Sequence, residues 1–136
     1  MYEADLTPAE AWELLENHED AVLVDVRTPQ EWAEVGIPDL GPLHRRVVLD
    51  PLLTAAGPNP DFLTALADAG LTPGDSRPVL FVCKAGGRSV AAARLATQAG
   101  LGPAYNVVEG YEGATASEAG WAGTGLPVAR WDGEQA

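Results

Sequence analysis

One cysteine, Cys83, one lysine, Lys84, and two histidines are the chain's whole stock of thiol, amine and imidazole side chains. A lone cysteine excludes an internal disulfide, so this thiol is either a buried small hydrophobe or a working group kept reduced. His18 and His44 have no second histidine or thiol at ligand spacing, so both are expected at the surface and not on a metal. Cations are scarce: eight Lys and Arg stand against 20 Asp and Glu, a formal charge of -12. Nucleic acid and anionic membranes are poor partners for such a chain, because both need clustered cations to neutralise phosphates. No apolar run reaches the roughly 18 residues of a membrane span, and the acidic start MYEADLTPAEAW lacks the basic and apolar regions of a leader. The expectation is a soluble, cytoplasmic protein without metal or organic cofactor.

What is present suits burial. Apolar residues make up 46% and charged residues 21% of the 136, close to globular averages, and that length fits one domain over residues 1–136, the last few frayed. Thr7-Pro8-Ala9-Glu10 and Thr28-Pro29-Gln30-Glu31 both read as capping boxes with proline at the first helical position. The runs AVLVDV (21–26) and PVLFVC (78–83) are continuous and apolar, as in strands buried on both faces of a parallel sheet. A short strand is expected around Val47 to Leu49 and a last one from Ala104 to Val108. Asn59-Pro60 should open a helix with Phe62, Leu63 and Leu66 on one face. After the glycines, RSVAAARLATQAG keeps Ala92, Leu95, Ala96 and Ala99 on one helical stripe. Helices alternating with such strands imply an α/β fold with a mostly parallel sheet covered on both sides, and ligand sites beyond the carboxyl ends of its strands.

Cys83 falls at such an end, followed by Lys84, Ala85, Gly86, Gly87, Arg88 and Ser89. If a helix begins near Arg88, the loop lies over a helix amino terminus, where unpaired N–H groups and the helix dipole attract anions. An unperturbed thiol with a pKa near 8.5 is only about 3% ionised at neutral pH, and lowering it by about two units needs roughly 2.7 kcal/mol. Amides at the helix end together with Lys84 and Arg88 could supply that. Gly86 and Gly87 fit a backbone that curls around sulfur. A cysteine ending a strand is ordinarily a core residue, but here thiol, glycines, cations and helix start coincide, which favours a working thiolate.

These residues resemble the rhodanese-like single-domain sulfurtransferases, whose active loop runs Cys-x-x-Gly-x-Arg and is matched at Cys83, Gly86 and Arg88. LVDVRTPQEW, NVVEGYEGA and GWAGTGLPV resemble further segments of that family, so the likeness spans nearly the whole chain. It implies a five-stranded, mostly parallel sheet flanked by helices on both faces. It also implies a Cys83 that takes a sulfane sulfur from a donor, holds it as a persulfide and passes it to a nucleophile. By the same resemblance the backbone of Lys84 to Ser89 would cradle the outer sulfur, and Lys84 and Arg88 would attract anionic donors such as thiosulfate. Acceptors would be small nucleophiles or a protein sulfur carrier. One departure stands out: Gly36, Ile37 and Pro38 occupy the place of a histidine, isoleucine and proline in the family's usual segment. The stretch between Leu49 and Phe62 looks like a loop particular to a subfamily.

A cysteine-dependent phosphatase or arsenate-reductase-like enzyme is the nearest alternative, but its loop is one residue longer between cysteine and arginine. A noncatalytic rhodanese-like binding module is another, and such modules typically lack the cysteine. Asp25 and Arg27 end a strand and read as an ion pair fixing loops, with the pocket border as the rival assignment. The four tryptophans read as packing, with Trp121 a candidate pocket wall. Glu109 and Gly110 should lie near the same sheet edge, where an exposed carboxylate would disfavour strongly anionic substrates.

Overall fold

At Thr7 the hydroxyl accepts the N–H of Glu10 while the Glu10 carboxylate accepts the N–H of Thr7, and Pro8 supplies a preset φ. The computed structural model, which describes residues 1–133, shows this reciprocal cap heading α1 (Pro8–Asn17) and again, through Thr28 and Glu31, heading α2 (Pro29–Val35). The expected fraying of the last residues falls on 134–136, outside the described residues. No helix among the described residues is long and apolar enough to cross a membrane.

Five strands, β1 (Ala4–Leu6), β2 (Val22–Asp25), β4 (Val48–Leu49), β7 (Val79–Val82) and β8 (Ala104–Val107), form a wholly parallel sheet in the order β1-β8-β7-β2-β4. β3 (Ile37–Pro38) pairs antiparallel with β9 (Val128–Ala129), and β5 (Leu53–Thr54) with β6 (Gly57–Pro58). One face of the sheet packs Val22, Val24, Val79 and Phe81 against α3 (Phe62–Asp68) and α4 (Gly87–Gln98). The other packs Leu23, Leu80 and Val82 against α1, α2 and α5 (Gly120–Gly123). Each such side chain contributes roughly 1.5–3 kcal/mol by leaving water, and burial on both faces is why these strands read as unbroken apolar runs.

Four details differ from the sequence reading. β1 was not expected: Ala4 and Asp5 are exposed, and the strand exists because its backbone pairs with β8, which no side-chain pattern advertises. The stretch after Leu49 holds the β5–β6 hairpin. α3 starts at Phe62, because Asn59 makes a turn first, its side-chain oxygen accepting the N–H of Asp61 and its carbonyl that of Phe62; Leu63 is 39% exposed and does not share the face of Phe62 and Leu66. On α4 the fully buried positions are Ser89, Ala92, Ala93 and Ala96, with Leu95 and Ala99 only partly covered.

Candidate active site

β7 is the middle strand of the sheet, and Cys83 follows its last residue. The thiol is 1% exposed at the end of the α3–α4 core, yet its Sγ meets polar groups: the N–H of Gly86 at 3.1 Å and the hydroxyl of Ser89 at 3.2 Å. Burial pushes the thiol up, but the Ser89 hydroxyl and the N–H groups of Ser89, Ala85 and Gly86 outweigh it and bring the group below its ordinary value. The loop places donors around sulfur because α4 begins at Gly87, so its first-turn amides face the strand end.

The segment after β8 holds the loop in place. The carbonyls of Cys83 and Lys84 accept the N–H groups of Tyr111 and Glu112 at 2.8 and 3.0 Å. Gly86 has φ +100, and a Cβ there would lie 2.3 Å from the Val108 carbonyl oxygen. Gly110 has φ +69, and its Cβ would lie 2.5 Å from the Lys84 oxygen. Gly87 has neither a positive φ nor a close neighbour, so only one of the two loop glycines is required by the backbone. Gly110 thus belongs to the site as the floor of the loop.

Arg88 differs most from expectation. Its guanidinium is engaged by Glu31 through two bonds, Nη1 to Oε1 at 2.8 Å and Nη2 to Oε2 at 2.9 Å. The cation that the resemblance offers to anionic donors is thus paired with a carboxylate, and it ties the start of α4 to the start of α2. Lys84 is exposed and forms no ion pair among the described residues. The sequence signal for Glu31 was spent on its capping box; nothing in spacing indicated that one carboxylate serves both Thr28 and Arg88.

The Arg88 bonds, with the N–H of Thr28, hold the Glu31 carboxyl at about 2, against an ordinary 4.5. A depressed acid stabilises the fold above its ordinary value, and that contribution disappears as pH falls from 4.5 through about 2. Because the pair is partly exposed, Glu31→Gln should cost only about 0.5–1 kcal/mol at neutral pH, converging with the parent protein near the acid end of that window. Urea unfolding across pH checks this, and a gap that does not narrow in acid would contradict it.

Beside Arg88 lies a cleft of about 610 Å³ between the start of α2 and the β5–β6 hairpin, lined by Thr28, Pro29, Gln30, Pro51 and Leu53 among others. Asp50, next to its Pro51 wall, is 2% exposed, and its Oδ2 meets no donor among the described residues; desolvation pushes its carboxyl up to about 7.

Asp25 and Arg27 do not border this cleft. Both are 0% exposed and bound to each other, Nη2 to Oδ2 at 2.6 Å and Nε to Oδ1 at 2.9 Å, with Arg27 also donating to the Gly36 carbonyl and lying over the Tyr111 ring. Gly36 itself has φ +90, and a Cβ there would sit 2.7 Å from the Ala129 carbonyl of β9, so this chain's backbone leaves no room for the histidine expected from the resemblance. Trp121 is a packing residue: it is 0% exposed, edge-to-face with Trp12, its Nε1 donating to the Pro127 carbonyl. The Glu109 carboxylate is partly buried and accepts the N–H of Gly120. His18 and His44 are exposed, and no cluster of three His, Cys, Asp or Glu suited to a metal ion occurs among the described residues.

A parallel five-stranded sheet with helices on both faces and a cysteine loop closing its middle strand defines a rhodanese-like α/β domain. The chain belongs to the STR4 middle domain family, matched over residues 5–132. The crystal structure of Rv0390 from M. tuberculosis is similar with a TM-score of 0.83 and 44% identity, covering 96% of this chain and 100% of that one. The solution structure of the polysulfide-sulfur transferase homodimer from Wolinella succinogenes follows at 0.63 and 27%, covering 96% and 80%. A rhodanese-like domain protein from Staphylococcus aureus matches at 0.59 and 21%, covering 96% and 100%, and speaks for the fold alone.

Proposed function

We propose that this chain is a sulfurtransferase that carries a sulfane sulfur on Cys83. The observation supporting it best is the set of donors around Sγ at the amino end of α4, the Ser89 hydroxyl and the loop N–H groups, which together bring the thiol below its ordinary value although the group is buried. The Wolinella relative described as a polysulfide-sulfur transferase supports the same chemistry.

In the first step the Cys83 thiolate attacks the outer sulfur of thiosulfate or a polysulfide. A bond forms between Sγ and that sulfur, the donor's S–S bond breaks, and its electron pair leaves with sulfite or with the shortened polysulfide. In the second step an acceptor nucleophile such as cyanide or a thiolate attacks the outer sulfur, and the pair of the breaking bond returns to Sγ as thiolate. The loop amides meet negative sulfur before and after each step, so their charge stabilisation needs no rearrangement. With Cys83 at 1% exposure, a donor reaches Sγ by displacing the outer residues of the loop, of which Lys84 and Gly87 are exposed.

Incubation with thiosulfate or polysulfide, followed by intact mass measurement, should show the gain of one sulfur, and Cys83→Ser should abolish it. Absence of sulfur uptake from both donors in folded protein would overturn the proposal. Hydrolysis of a phosphomonoester without uptake would favour the phosphatase reading.

A further inference from the structure

Three polar side chains link the enclosed thiol to solvent across the α4 side of the sheet. Ser89 and Asn106 are 0% and 2% exposed, whereas Asp5 is exposed. Asp5 and Asn106 lie directly opposite each other on β1 and β8. Asn106 Nδ2 donates to Asp5 Oδ1 at 3.0 Å, Ser89 Oγ donates to Asn106 Oδ1, and Ser89 Oγ lies 3.2 Å from Cys83 Sγ. Tyr2 also donates to Asp5 Oδ1, at 2.7 Å.

The donor inventory of this line settles which way its protons point. An ionised carboxylate only accepts, so Asp5 holds the nitrogen end of the Asn106 amide towards itself and leaves the oxygen end facing Ser89. A hydroxyl has one proton. It can serve Asn106 or sulfur but not both: turned to sulfur it favours the thiolate, as described above, and turned to Asn106 it offers Cys83 only a lone pair, which suits S–H. For Ser89 to support the thiolate, its proton must swing to sulfur and abandon a buried carbonyl oxygen.

We propose that Asp5, through Asn106, directs the Ser89 proton away from Cys83, so that an exposed carboxylate on β1 governs how readily the buried thiol ionises. Asp5 and Asn106 are positioning residues in this scheme, and the loop amides still favour the thiolate. The other charges around the thiol are Lys84 beside it, Arg88 of α4 with its partner Glu31 of α2, and Asp25 at the end of β2. None of these bonds to Ser89 or Asn106. The importance of the device for catalysis rests on the sulfurtransferase reading, but the titration of Cys83 can be read without any sulfur donor.

Iodoacetamide alkylation of the full chain, followed against pH, supplies that reading. Asp5→Ala lets the Asn106 amide turn and donate to Ser89, so the midpoint should fall by about half a unit, giving about threefold faster alkylation below it with an unchanged plateau. Asn106→Ala should shift the midpoint in the same direction. Glu3→Ala, which removes the same charge just before β1 without touching the relay, should shift it much less, and in a Ser89→Ala background Asp5→Ala should have no effect. An Asp5→Ala midpoint equal to that of Glu3→Ala or of the parent, a shift that persists without Ser89, or a raised plateau with an unmoved midpoint would overturn the proposal. Failure of sulfur uptake alongside the expected shifts would instead strike at the function and leave the relay standing.

Discussion

Arg27→Met is expected to destabilise the fold by about 3–5 kcal/mol, the typical cost of leaving one member of a buried ion pair without its partner. Asp25 is 0% exposed, and both of its oxygens accept from Arg27, Oδ1 from the backbone N–H and Nε, Oδ2 from Nε and Nη2. Methionine would supply comparable length and apolar packing but no donor to that carboxylate or to the Gly36 carbonyl, which Arg27 bonds at 2.9 Å. It would also remove the guanidinium from the Tyr111 face, 4.1 Å away, and Tyr111 fixes α2 by donating to the Val35 carbonyl. Urea unfolding provides the measurement. Because the penalty comes from the abandoned charge and not from the lost attraction, the double variant Asp25→Leu, Arg27→Met should recover much of the loss. A single-variant cost below about 1 kcal/mol would mean that water reaches the pair.

Gly86→Ala should have the larger effect on function. A left-handed backbone conformation imposed on a non-glycine residue costs about 1–3 kcal/mol, and at φ +100 the new Cβ would also meet the Val108 carbonyl oxygen at 2.3 Å. The loop must shift away from the β8 end, taking with it the Gly86 N–H that lies 3.1 Å from Sγ. Sulfur uptake is therefore expected to slow by at least about tenfold, and the thiol pKa to rise, since a lost donor of about 1.4 kcal/mol is one unit. Gly87→Ala is the control: its neighbour at the helix start has open space, so stability should change by no more than about 0.5 kcal/mol. Indistinguishable alkylation profiles for the two variants would show that the close approach at residue 86 does not hold the loop.

Both predictions concern features that were legible in unequal measure. The capping boxes at Thr7 and Thr28, the two apolar strands and the thiol before a glycine pair are local signals, and the structure places each where the sequence did. Their physics is contained within a few residues: a hydroxyl that reaches its own N3 amide, or side chains buried on both faces of a strand. The Asp25–Arg27 pair was readable for the same reason, two residues apart at a strand end.

The rest depends on contacts between distant segments. Spacing identified Arg88 as a cation beside the thiol, but whether that charge meets a donor or a carboxylate depends on how the fold brings the starts of α2 and α4 together, and there it meets Glu31, 57 positions away. β1 needed the free edge of β8 to become a strand, and Asn106 became a neighbour of Ser89 and Asp5 only through that parallel register. The order of residues thus determined helices alternating with buried strands and a thiol at the carboxyl end of one of them, because burial periodicity and caps act locally. Tertiary packing alone decided which charges remain free and where the serine proton points, because the partners of long polar side chains are set by spatial neighbours rather than by sequence distance.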